Sequence, residues 1–221
     1  MRPPLCFWIA RQSDMLTDVK SLLIDTCGEV GLVALSDGAT LIGEAQLPAR
    51  EASRALLDMM AKLLAESAWK LGELDAVAIV AGTGSFTGVR VGMAAAKGIS
   101  EATGLRILPV SRLAMLAHAG GSDACAVLDA GRGEYYVRTP DGVESLVTKE
   151  ALQELVQGRR LLVTEEKVFN ALQDFSPEKI EISLQLALPL VLEAQKAERM
   201  DSALADANYV RREQDIYGKA S

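Results

Sequence analysis

The chain has 221 residues, 49% of them hydrophobic and 24% charged, a composition of folded rather than disordered protein. At this length roughly 70% of the unfolded surface can be buried in one large or two small domains. A net charge of −7 and a pI near 4.9, with no basic run longer than Arg159-Arg160 or Arg211-Arg212, argue against tight, independent binding of nucleic acid.

Residues 1–20 read as a leader. The apolar run Leu5 to Ala10 is too short for a signal-peptide core and lacks a cleavage site, so no export is expected, and Met15 is a plausible start. No later stretch supplies about twenty uninterrupted apolar residues, so no membrane span is expected. Cys6, Cys27 and Cys125 are odd in number and widely spaced, as in a reducing cytoplasm.

Residues 21–120 read as a first lobe. Ser21 to Thr26 is an apolar strand ending at an acid, Asp25. Gly31 to Leu35 and Thr40 to Gln46 flank the hairpin signal Ser36-Asp37-Gly38. A helix over Glu51 to Trp69 carries the stripe Ala52, Ala55, Leu56, Met59, Met60, Leu63, Leu64 and Ala68, and Leu57, Ala61 and Ala65 widen it around the cylinder. That surplus is explained equally by deep burial within the chain or by a further surface to cover.

The strand Ala76 to Ala81 then enters Gly82-Thr83-Gly84-Ser85-Phe86-Thr87-Gly88 and a helix of small residues reaching Thr103. Something must approach that backbone closely. An anion held by N–H groups near Asp25, Gly82, Gly84, Ser85 and Thr87 is one account. Another helix on the face of Gly88, Val89, Gly92, Ala95 and Ala96 is the other. The spacing G-x-G-x-x-x-G matches neither the dinucleotide fingerprint nor the P-loop, and Ser85 or Thr87 suits an ordinary N-cap. Arg106 to Val110 is a strand with Pro109 at a sheet edge. Ser111 caps a helix to about Ala119.

Residues 121–221 repeat the opening. Ala124 to Asp129 is again an apolar run ending in an acid, followed by Glu134 to Arg138, the turn Thr139 to Gly142 and the strand Val143 to Val147. Helix Lys149 to Gln157, strand Arg160 to Thr164, a short helix near Val168 to Leu172, strand Ile180 to Ile182 and helix Leu184 to Arg199 complete an α/β chain of two lobes. An internal duplication follows. The single histidine, His118, excludes a paired-histidine metal site within the chain and weakens every Ser-His-Asp arrangement. Asp25 and Asp129 are expected to accept hydrogen bonds from nearby loop N–H groups rather than hold a metal.

The Asp25-Thr26 strand end, the Gly82 to Gly92 block with Ala94-Ala95-Ala96-Lys97-Gly98, and Asp129-Ala130-Gly131-Arg132-Gly133-Glu134-Tyr135-Tyr136 together resemble the TsaB (YeaZ) family from about residue 20 onward. The chain differs in having Cys27 after Asp25-Thr26 and Thr83 between the two glycines. The resemblance implies an actin-like ATPase fold with two lobes of β-β-β-α-β-α topology, the second reduced. It implies a non-catalytic subunit that binds TsaD, works with the ATPase TsaE and contributes to threonylcarbamoyladenosine in tRNA, in the cytoplasm.

The same resemblance places the partner surface on the two long helices, at Leu56, Met59, Met60, Leu63, Gly88, Val89, Gly92, Ala95 and Ala96. No cofactor of its own is implied, with ATP and Mg²⁺ at the junction of the complex, tRNA reached through the complex, and a homodimer as a further assembly. Arg211 and Arg212 are the expected tRNA contribution. An actin-like small-molecule kinase or ATPase is the alternative; a peptidase lacks a histidine near a nucleophile.

Overall fold

The computed structural model describes residues 19–48, 51–156 and 158–196. Residues 1–18 of the expected leader, Arg211 and Arg212 therefore lie outside the described residues, while Lys20, its last residue, opens the first strand. The first lobe runs β1 (Lys20–Asp25), β2 (Gly31–Asp37), β3 (Thr40–Leu47), α1 (Ala52–Glu66), β4 (Ala76–Val80), α2 (Phe86–Thr103) and β5 (Arg106–Val110). The second runs β6 (Ala124–Gly131), β7 (Glu134–Arg138), β8 (Glu144–Thr148), α4 (Lys149–Val156), β9 (Arg160–Val163), α5 (Glu166–Ala171) and β10 (Glu178–Lys179). Between them lies α3 (Arg112–Gly120), and α6 (Leu188–Lys196) follows β10.

The sheet orders are β3-β2-β1-β4-β5 and β10-β9-β6-β7-β8. Read from the hairpin edge, the second is the first with every strand number raised by five. Both central strands pair antiparallel with the hairpin and parallel with the strand across the first helix. The repeated opening of the sequence is thus a repeated topology.

Both sheets are covered on both faces, which explains why β1, β4 and β6 read as continuous apolar runs. Leu22, Ile24, Val77 and Ile79 face α1 and α2 through Leu56, Met60, Leu63, Met93, Ala96 and Ile99. Leu23, Ala78 and Val80 face the other way, against Leu184, Leu188 and Val191. In the second lobe Cys125 and Val127 meet Leu152, Val156, Val168 and Leu172, while Ala126 and Leu128 meet Leu113 and Leu116.

The lobes exchange helices. α3 leaves the end of β5 but packs Leu113 and Leu116 on the second sheet, and α6 follows the last strand but returns Leu188 and Val191 to the first. A division of the sequence at residue 120 therefore separates α3 from the sheet that it covers. The exchange seats the start of α3 between the two lobes.

Several element boundaries moved for local reasons. Of the two cap candidates it is Ser85 that caps α2, its Oγ accepting from Gly88 N–H at 3.2 Å, so the helix starts at Phe86. Gly104, with φ of 76°, ends it. Ser111 caps α3 through Ala114 N–H, as expected. The strand expected at Ile180–Ile182 lies two residues earlier, at Glu178–Lys179. The helix expected from Leu184 begins as a 3-10 turn, Leu184–Ala187, and becomes α-helical at Leu188 with Pro189 in its first turn, where the missing N–H costs nothing. Pro109 sits on β5, an edge strand.

Candidate functional site

The cleft between the lobes has a volume of about 560 Å³ and lies at the carboxyl ends of β1 and β9, where open α/β sheets place their ligands. Asp25, Gly28, Val30 and Leu32 line one side, Thr164, Glu165, Lys167 and Lys179 the other, and Arg112 reaches it from α3.

Asp25 is buried. Its Oδ1 accepts from Cys27 N–H at 2.7 Å, and its Oδ2 stands 3.7 Å from Arg112 Nε. Arg112 Nη1 lies 3.5 Å from Glu165 Oε1, and Glu165 Oε2 accepts from the backbone N–H of Asp129 at 2.9 Å. Burial holds the Glu165 carboxyl above the ordinary glutamate range, offset by the Asp129 amide and Arg112. Asp129 accepts from Gly131 N–H at 3.2 Å and pairs with Lys167 at 2.9 Å. Asp25 thus bonds a loop amide, as the sequence led us to expect, whereas Asp129 bonds the amide of Gly131, the last residue of β6.

The glycine block is explained inside the chain. A Cβ at Gly88 would lie 1.9 Å from the Thr26 carbonyl oxygen, and one at Gly92 would lie 2.4 Å from Thr26 Oγ1 and 2.8 Å from Ile79 Cδ1. At Gly84 it would meet Cys27 O at 2.5 Å. The close neighbour that the small residues admit is the end of β1, an answer that neither sequence account contained. One donor of the anion account is engaged within the chain, Ser85 N–H bonding Cys27 O at 2.9 Å, and Gly88 N–H bonds the Ser85 hydroxyl. Of the five residues proposed for an anion, Asp25 and Gly82 are buried, whereas Ser85 and Thr87 are exposed on the rim of α2.

For the magnesium nucleotide that the resemblance to an actin-like family implies in this cleft, the residues present are a poor fit. The ground between Asp25 and Glu165 is occupied by a guanidinium, and the Cys27 and Ser85 amides beside it are bonded within the chain. Among the described residues no group of three His, Cys, Asp or Glu side chains is placed to hold a metal.

The expected partner surface needs correction. Leu56, Met60, Leu63, Val89, Gly92 and Ala96 are buried against the first sheet, and Met59, Gly88 and Ala95 are partly buried. They form the core stripe of two helices that each need one face on the sheet. What remains outward is the surplus: Leu57 at 55% exposure with Ala61 and Ala65 on α1, and Phe86 at 51% with Arg90, Ala94 and Gly98 on α2. Each set repeats every four residues and so shares one helix face. The Arg90 guanidinium stacks 3.8 Å from the Phe86 ring centroid. Both helices cover the same side of one sheet.

Comparison with known proteins agrees with this architecture. The family model described as TsaD: tRNA N6-adenosine threonylcarbamoyltransferase matches residues 46–177. The tRNA threonylcarbamoyladenosine biosynthesis protein TsaB of Escherichia coli (strain K12) is 34% identical over 123 residues, 53% of this chain and 53% of that protein. The chain belongs to the TsaB (YeaZ) family. TsaB of Haemophilus influenzae is likewise 34% identical over 120 residues, so the chain spans about half the length of the curated relatives it matches. YeaZ from Pseudomonas aeruginosa, at 24% identity, superimposes with a TM-score of 0.70 over 86% of this chain and 99% of that one. That likeness shows the two-lobe α/β fold of this family. No helix among the described residues is long and apolar enough to cross a membrane.

Proposed function

We propose that the chain is a non-catalytic subunit in the biosynthesis of tRNA threonylcarbamoyladenosine, acting in the cytoplasm by binding a TsaD homologue through the outward faces of α1 and α2. The names of the relatives supply the process, and the exposed apolar stripe of Leu57 and Phe86 carries the binding reading. The small residues of these faces let partner helices approach closely, and the aromatic residue and arginine that open the α2 set are typical anchors of an interface. Gly98 strengthens the reading: a Cβ there would meet nothing within 4 Å, so no contact inside the chain requires glycine in mid-helix.

In this reading the two lobes are those of an actin-like fold whose cleft works without a nucleotide of its own, and ATP with Mg²⁺ belongs to the junction with the partner. TsaE joins the complex, tRNA is reached through it, and a homodimer uses the same helical face when the partner is missing. The acidic surface suits a subunit that leaves phosphate recognition to others. Tagged full-length protein should retain a TsaD homologue in stoichiometric amount on purification. Recovery of the chain alone from cells expressing both would refute the proposal.

A further inference from the structure

We propose that the Arg112 side chain is a tethered cation that clasps the two lobes together, so that the cleft keeps its angle with no bound nucleotide or metal. Arg112 is the first residue of α3, the helix that crosses from the end of β5 to the second sheet, and its own N–H bonds the Gly82 carbonyl at 2.7 Å. The residue is 5% exposed. Its guanidinium meets Asp25 of the first lobe at 3.7 Å and Glu165 of the second at 3.5 Å.

The link continues on both sides. Asp25 holds the Cys27 amide at the start of the β1–β2 loop; Glu165 holds the Asp129 amide, and Asp129 pairs with Lys167 on α5. A line of alternating charge, Asp25, Arg112, Glu165, runs across the gap and is anchored to backbone at each end. Gly28 makes room for it, because a Cβ there would lie 2.7 Å from Arg112 Nη2. Lysine offers a single charged point, whereas the planar fork can face two carboxylates on different lobes at once.

Buried ion pairs of this kind contribute more to a unique arrangement than to stability, since apolar replacements of similar volume often match them in free energy. Two observations favour a clasp over a ligand site. The guanidinium faces one carboxylate from each lobe, at 3.7 Å and 3.5 Å, both within Coulombic reach. The cleft's remaining cations, Lys167 and Lys179, are themselves paired, with Asp129 and Glu166.

Hydrogen exchange on the full chain alone tests this independently of partner binding. In Arg112→Met the amides that the two carboxylates hold, Cys27 on one edge and Asp129 on the other, should exchange roughly tenfold faster or more, while those of β4 stay unchanged. In Arg112→Ala, which leaves the space of the guanidinium empty, millimolar methylguanidinium should restore protection at both edges, which a packing role would not allow. Should Arg112→Met fail to fold, Arg112→Lys should show the same two-edged loss. Loss on one edge only, exchange unchanged in the variant that folds, or protection of these amides in the unaltered chain by Mg²⁺-ATP would overturn the clasp.

Discussion

The hydroxyl of Thr26 donates to the carbonyl oxygen of Gly88 at 2.6 Å, tying the end of β1 to the first turn of α2. Gly88 and Gly92 follow from that bond, because α2 must lie on Thr26 with no side chain between. Gly88→Ala should cost about 2–3 kcal/mol or more in urea denaturation, since its Cβ would overlap backbone that cannot yield. Gly92→Leu should likewise impair folding, because it strikes Thr26 and Ile79, and so cannot serve as a clean probe of partner binding.

Gly98→Ala should do the opposite to the free chain. The position is exposed and open, so alanine should stabilise α2 by about 0.5–1 kcal/mol. Leu57→Arg should leave the urea midpoint unchanged while weakening binding of a TsaD homologue by about 2 kcal/mol or more, the scale of a buried anchor. Calorimetry with both variants gives the answer. Unaltered affinity in Leu57→Arg would remove α1 from the interface.

The topology was legible because both lobes repeat the same apolar run, acid and hairpin, and because strands covered on both faces lack polar alternation. The cap at Ser111 was legible from its local sequence, and that at Ser85 only as one of two candidates with Thr87. The inward and outward stripes of α1 were harder to separate: Leu56 and Leu57 are equally apolar, and only the position of the sheet decides that one is core and the other surface. Arg112 went unnoticed altogether. A single arginine after a cap carries no periodic signal, and its role arises from the exchange of helices between lobes, which no short-range pattern encodes.

Cys27 and Cys125 should resist iodoacetamide at neutral pH until the chain unfolds. Both thiols are buried and pushed above their ordinary range, each chiefly by desolvation, with the Asp25 charge adding to the effect at Cys27. For a thiol raised on folding, the stabilising contribution is complete below the unfolded pKa and is lost as pH rises through the folded one. Stability should therefore fall on the alkaline side, and Cys27→Ala should flatten that decline. Rapid alkylation of either thiol in the native chain, read by mass spectrometry, would contradict the burial.

Glu165 gives a pH dependence of the same sign nearer neutrality. Its carboxyl is raised by burial in the cleft, so between the ordinary glutamate value and the raised one the folded chain binds more protons than the unfolded chain. Its contribution is present in full below the ordinary value and declines as pH rises through the folded value. Glutamine at this position keeps an oxygen to accept from the Asp129 amide but removes the titration. Comparing urea midpoints of the native chain and Glu165→Gln at about pH 4 and about pH 7 isolates the group, because the exposed carboxylates Glu166 and Glu178, lowered by Lys179 and Arg160, titrate in both. The difference between the two chains should move in favour of the glutamine variant as pH rises. A difference that moves the other way would mean that Arg112 stabilises the charged form of Glu165 by more than burial disfavours it.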